Sequence, residues 1–286
     1  MVEIERHLMV QSRSLHSCAM SSIDRRVIAG LLSEIKASSG PVAANRLRES
    51  LSAFFAWAIR EGLLETNPAA NTNREPEKTR DRALTREELR EIWQALGEDR
   101  YADIVRLLVL TGARRDEIGG LRWEEVDLER AVITLPPARV KIGRERKTPL
   151  SAPALAILEV RMREGAEFVF GFRAWACPFS LWSRSKVELD QRIAAARKAA
   201  GKSPMPHWTL HDLRRTVSTG MHVELGILPH IVEAVLGHVG HQGGIAGTYN
   251  RAAYDGPKAE ALAQWGEYLL AIVEDRPAKI VPMRGR

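Results

Sequence analysis

The chain has 286 residues, enough for two domains, and its 45% hydrophobic and 27% charged content is that of a globular protein able to bury a core. A net charge of +6 favours a polyanionic partner, either nucleic acid or an acidic membrane surface. Cys18 and Cys177 lack CxxC spacing, which argues against a disulfide framework or a cysteine zinc site, no apolar run approaches a membrane span, and the opening MVEIERHLMV is too charged for a secretory signal, so a reducing, cytoplasmic setting is expected.

Behind Ser22 as cap, Ile23, Val27, Leu31, Leu32 and Ile35 recur at helical spacing, and Leu47, Leu51, Phe54, Phe55, Ala58 and Ile59 predict a second helix over residues 41–61. These helices make a small domain over residues 1–75. Residues 65–83, rich in Pro, Asn and charge, read as an exposed connection, with the linker proper at 76–83. Beyond it, Thr85 and Glu88 form a capping box for a helix through Leu89, Ile92, Trp93 and Leu96. An apolar helix over 103–110 stops at Thr111 and Gly112, and a short one carries residues 115–121. The period then switches to that of a strand at 131–135, followed by a basic loop around Lys141 and a return strand at 146–150, a small antiparallel hairpin or meander. Helices follow over 153–163, 186–200 and 257–274, with an aromatic-rich loop at 168–184 and a tail at 275–286. The fold class expected is mainly α (α+β): a small helical domain, then a larger, mostly helical domain over 84–274 holding a small antiparallel sheet.

The stretch PHWTLHDLRRT, residues 206–216, carries the strongest chemical signal. Thr209 and Asp212 fit a capping box, and His211 and Arg214 lie three apart on one face of the opening turns, where unpaired backbone N–H groups favour an anion. On the residues alone, a surface histidine beside an ion-paired arginine is an equally good reading. Arg114 follows the Thr111-Gly112 break and is placed for bracing by Glu117, yet an arginine after a glycine is usually structural or solvated. Lys141 sits in the hairpin loop with Arg139, Arg144, Arg146 and Lys147, a solvated edge or a phosphate-contact patch, and Arg215 adds a further cation beside Arg214. His238 follows a helix end at Gly237. His207, His211, His238 and His241 show no HExxH pattern and no carboxylate at ligand spacing, so neither metal nor cofactor is expected. Tyr249 lies beyond Gly243, Gly244 and Gly247, on a segment able to swing a side chain; it is a loop residue or a nucleophile, a role phenols take where cations stabilise phenolate and phosphorane charge.

Taken in order, TGARRDEIGGLRWEEVDL (111–128), ARVKIGRERKTPLS (138–151), HDLRRT (211–216), LGH (236–238) and the TYNR around Tyr249 resemble the tyrosine recombinase (phage integrase) family, over essentially all of residues 84–274. The resemblance implies that Arg114 is the first catalytic arginine, Lys141 the hairpin lysine, His211 and Arg214 the HxxR pair, His238 the second histidine and Tyr249 the nucleophile, with Tyr254 as the alternative. It implies a site-specific recombinase (integrase) that cleaves and rejoins DNA strands through a 3′-phosphotyrosyl intermediate, without metal, ATP or other cofactor. Residues before 80 are similar to the family's core-type DNA-binding domain, whereas the amino-terminal arm-binding domain of many larger integrases has no counterpart in this reading. Arg139, Arg144, Arg146, Lys147 and Arg215 are then the expected phosphate contacts. Double-stranded DNA is the implied partner, with assembly into a tetramer on DNA through the carboxy-terminal helix, association with the nucleoid, and directionality or host DNA-bending proteins as further partners; no membrane is implied. The alternatives are a catalytically silent DNA-binding relative and a strand relaxer resembling type IB topoisomerases.

Overall fold

Asp24, not Ser22, caps the first long helix. Its carboxylate accepts from the backbone N–H groups of Arg26 and Val27 at 2.8 and 2.9 Å, while Ser22 ends the preceding turn Met20–Ser22 and donates its hydroxyl to the carbonyl of Ala19 at 2.7 Å. The computed structural model describes residues 3–77, 81–141, 143–161, 166–171, 176–237 and 254–278, and contacts divide the chain into two units, Met1–Asp81 and Arg82–Arg286. In the first unit a short helix α1 (Glu3–Arg6) runs into a wider turn, His7–Gln11, and is followed by α2 (Arg25–Ser39) and α3 (Pro41–Arg60). Ile28, Leu31 and Leu32 of α2 meet Leu47, Leu51 and Phe55 of α3 in a core closed by Leu15 and Ala69. Ile28 lies in that core, whereas Val27, one of the apolar positions read at helical spacing, is on the outside.

The Pro- and Asn-rich stretch read as an exposed connection is tied down as far as Glu77. Asn45 of α3 donates to the carbonyl of Glu75 at 2.9 Å and to the Glu77 carboxylate at 2.7 Å, and accepts from Glu75 N–H at 2.9 Å. Asn67 reaches the carbonyl of Ser52 at 3.0 Å, and Arg48 Nε reaches Thr72 Oγ1 at 2.9 Å. Side-chain amides here satisfy a backbone that has no ladder of its own, so low apolar content gives no warning that the segment is held.

In the second unit the reciprocal Thr85–Glu88 capping box opens α4 (Arg86–Ala95), with bonds of 3.0 and 3.1 Å. Next comes α5 (Arg100–Thr111), capped by Asp99 and buried nearly all round, including Ile104, Val105, Leu107, Leu108, Val109 and Leu110, which makes it the central helix of the unit. After the short α6 (Arg115–Gly119) the chain forms a three-stranded antiparallel meander of β1 (Val126–Asp127), β2 (Val132–Leu135) and β3 (Arg146–Pro149), in which Leu135 faces Arg146 and Val132 faces Pro149. Helices α7 (Ala152–Arg161), α8 (Trp182–Ala199), α9 (Leu210–Thr219), α10 (Pro229–Leu236) and α11 (Asp255–Glu274) complete it. Helix α8 starts at Trp182, ahead of the expected Lys186, because Trp182 packs edge-on against Phe179 and Tyr101. On α11, Trp265 is buried and donates its indole N–H to the carbonyl of Val109 at 2.7 Å, which pins this helix to α5. Among the described residues no helix is long and apolar enough to cross a membrane.

Candidate active site

Two left-handed turns bring three segments of the second unit together. Gly112 (φ +62°) ends α5 and Gly237 (φ +65°) ends α10. A Cβ on Gly112 would lie 2.9 Å from Leu236 Cδ2, and one on Gly237 would lie 3.1 Å from Arg146 Nε. Glycine alone combines this backbone with so close an approach. Arginines then take the carbonyls at these turns. Arg214 of α9 donates from Nη1 to the carbonyl of Gly112 and from Nη2 to that of Leu236, the latter at 2.6 Å, while Arg146 of β3 donates from Nη2 to the carbonyl of Val235 at 2.8 Å.

Glu117 of α6 closes the network. Its Oε2 lies 2.5 Å from Arg146 Nη1 and accepts the backbone N–H of Arg114 at 2.8 Å, and its Oε1 accepts from Arg114 Nη1 at 2.8 Å. One carboxylate therefore serves two guanidiniums, with Glu117 and Arg146 only 4% and 6% exposed and Arg114 28% exposed. The third guanidinium, Arg214, is 5% exposed.

Burial, and then the charges of Arg146 and Arg114, push the Arg214 guanidinium down to about 9, with Glu117 and Glu233 opposing. It remains protonated at neutral pH. Arg146 is likewise lowered by burial, against the pull of Glu117. Burial alone would raise the Glu117 carboxyl, but the charge of Arg146 and the bonds from Arg114 outweigh it and hold the group below its ordinary value. Three cations and one shared carboxylate leave an excess of positive charge where screening is weak, which an anion with two accessible oxygens offsets.

His211 sits in the first turn of α9, where Asp212 Oδ2 accepts the Thr209 N–H at 2.8 Å. Desolvation and the charges of Arg215 and Arg214 lower its pKa from 6.5, with Asp212 opposing and Arg114 adding to the effect. At neutral pH the imidazole is uncharged and able to accept a proton.

Arg114, His211 and Arg214 are thus within reach of one another's charge. Lys141 lies exposed in the β2–β3 connection, and among the described residues none of the network's bonds reaches it. Two of the expected phosphate contacts turn inward instead. Arg139 pairs with Glu125 and donates at 3.2 Å to the carbonyls of Asp116 and Glu117, finishing α6, and Arg146 is the buried cation described above. Arg144 and Lys147 are exposed and Arg215 is half-buried. His238 and Tyr249 lie outside the described residues. Tyr254 precedes α11 at φ +49°, half-buried, with its ring 5.6 Å from that of His230. The inward Arg146 was legible from strand parity: Leu150, Thr148 and Arg146 alternate onto the buried face of β3. Lys258, which carried no signal, is buried in the first turn of α11 and donates to the carbonyl of Lys147 at 3.1 Å. Among the described residues no cluster of three or more His, Cys, Asp or Glu is arranged to hold a metal.

A family model described as the phage integrase family matches residues 82–255, which takes in this whole network. The chain belongs to the phage integrase family. Prophage integrase IntZ of Escherichia coli K12 is 31% identical over 240 residues, which are 81% of this chain and 56% of that protein. For prophage integrase IntA of the same organism the identity is 25% over 262 residues, 88% of this chain and 60% of IntA. This integrase-family chain therefore spans 56% and 60% of the length of those two relatives. Tyrosine recombinase XerA of Pyrococcus furiosus is 28% identical over 203 residues, 68% of this chain and 65% of XerA. In fold, the chain matches a crystal structure of a lambda integrase (75–356) dimer bound to a COC′ core site with a TM-score of 0.62 at 24% identity, over 82% of this chain and 86% of that fragment.

Proposed function

We propose that the chain breaks and rejoins double-stranded DNA at specific sites as a tyrosine recombinase. The observation that carries this reading is the clustering of three guanidiniums beside a neutral His211: Arg114 and Arg146 share the buried Glu117 carboxylate, and Arg214 is held next to them by the carbonyls of Gly112 and Leu236. Arg114 and Arg214 bind the non-bridging oxygens of a phosphodiester, and the fork geometry of arginine suits this better than the point charge of lysine. The two carbonyl bonds of Arg214 use one N–H on each Nη and leave its remaining donors for the phosphate. Tyr249 attacks phosphorus and gives its proton to His211, His238 donates a hydrogen bond to the phosphate, and Lys141 protonates the departing 5′ oxygen. The phosphotyrosyl bond that forms replaces the P–O5′ bond that breaks, so the reverse attack by a partner's 5′-hydroxyl needs no added energy source or cofactor. Arg144, Lys147 and Arg215 contact backbone phosphates, and residues 1–75 form a core-type DNA-binding domain.

A solved structure described as a lambda integrase tetramer bound to a Holliday junction, with a TM-score of 0.62, supports assembly of this chain into a tetramer on DNA. The location that follows is the cytoplasm, on the nucleoid when DNA is bound, with directionality or DNA-bending proteins as further partners. To test the reaction, the chain is given a supercoiled plasmid carrying two copies of a duplex that it selects from a random-sequence library, with chelator present. Recombinant product is expected. Relaxation without recombinants indicates a type IB-like relaxer, binding without either product indicates a silent DNA-binding relative, and loss of all cleavage with chelator contradicts the proposal.

The lowered pKa of His211 sets a further expectation. The base form predominates at neutral pH and is lost as pH falls through a value below the ordinary 6.5. The second-order rate of cleavage, which reports the free protein, should show an acid limb with its midpoint below 6.5, and His211→Gln should remove that limb along with most of the rate. An acid limb of the same position in His211→Gln assigns the proton to another group.

A further inference from the structure

Arg146 is a cation of the active-site network to which the reaction described above gives no task. It is 6% exposed, bonded to Glu117 and to the carbonyl of Val235, and packed under Gly237, so its guanidinium faces protein on each of these sides. A basic side chain is rarely buried this deeply unless its bonds are worth the desolvation. What Arg146 joins is informative. Through Glu117 it reaches the Arg114 fork; through Val235 it holds the last turn of α10, which leads in sequence to His238; and as the first residue of β3 it closes the connection bearing Lys141. The next residue of the same strand, Lys147, accepts the bond from Lys258 in the first turn of α11. Two consecutive residues of β3 therefore hold the helix before residues 238–253 and the helix after them.

We propose that Arg146 is a positioning residue for strand cleavage: it fixes Arg114 through Glu117 and the end of α10 through Val235, without touching DNA. This rests on the recombinase reading and adds to it a residue whose loss changes the chemistry and leaves binding intact. A phosphate contact would behave in the opposite way, since removing one weakens binding and flattens its salt dependence. A residue that only stabilises the fold would change neither once the protein is folded.

The test compares the full-length wild type with Arg146→Met and Arg146→Lys, each shown by near-ultraviolet circular dichroism and melting to be folded at the assay temperature. Two quantities are read: the salt slope of duplex binding, and the single-turnover rate of covalent adduct formation on a nicked duplex at saturating protein. The expected result is a salt slope unchanged in both variants, an adduct rate about 100-fold lower in Arg146→Met, and a rate between the two in Arg146→Lys, which keeps the charge but not the fork. An adduct rate within about 3-fold of wild type in Arg146→Met overturns the proposal, and so does a salt slope that drops by about 1, which marks a DNA contact. If Arg146→Met does not fold, Arg146→Lys is judged alone: a slowed rate with unchanged slope supports the proposal, and a wild-type rate or failure to fold overturns it. Failure of the wild type itself to form an adduct contradicts the recombinase reading and not the placing of Arg146.

Discussion

Arg214→Lys should slow strand cleavage by about 2–4 kcal/mol of barrier, roughly 30- to 1,000-fold, as expected for loss of a donor aimed at developing charge. The reason is geometric. The native guanidinium spans the carbonyls of Gly112 and Leu236, two turns that belong to different helices, and a single ammonium cannot bridge both and still meet a phosphate. Because the interaction matters most in the transition state, the loss should appear in the single-turnover rate at saturating DNA, with duplex affinity changed much less. If Arg214→Lys cleaves within about 3-fold of wild type, the fork has no such role.

Glu117→Gln should destabilise the second unit by about 3–5 kcal/mol, the usual cost of leaving a buried charge without its partner. Glu117 and Arg146 are both almost fully buried, so solvent screening offers little relief. The effect has a definite pH dependence. Glu117 has a lowered pKa in the folded chain, so its contribution is complete above the ordinary carboxylate value and is lost as pH falls through the folded one. Urea denaturation at a series of pH values should show a gap between wild type and Glu117→Gln that is constant near neutrality and closes on acidification below about pH 4. A gap that persists at low pH contradicts the ion-pair account.

How much of this was legible in the sequence depends on what kind of signal each residue leaves. The Thr85–Glu88 and Thr209–Asp212 boxes are local patterns, and they mark the starts of α4 and α9 as read. Strand β2 announces itself by β-branched residues, whereas β1 is only Val126–Asp127 and exists because it pairs with β2, a cause invisible along the chain. Asp24 displaces Ser22 as the cap because the helix begins at Arg25, where only Asp24 adjoins the first unpaired N–H groups, while Ser22 lies back in the turn Met20–Ser22. At the site, Arg114, His211 and Arg214 were named from the sequence, and the structure shows how glycine turns far apart in the chain let them approach. The basic run at 139–147 was the opaque part. Composition treats its arginines alike, yet Arg139 and Arg146 are committed to carbonyls and carboxylates while Arg144 and Lys147 are exposed. Parity along β3 marks Arg146 as inward, but sorting Arg139 from Arg144 requires the location of Glu125, which is a tertiary fact.

The most direct measurement is denaturing electrophoresis of the chain after incubation with a labelled, nicked duplex, followed by peptide mapping of any adduct. The account predicts a labelled protein band formed in the presence of chelator, with the link on the peptide containing Tyr249, and no band from a Tyr249→Phe variant that still binds the duplex. A band retained by Tyr249→Phe, a link at Tyr254, or cleavage with no covalent intermediate contradicts it.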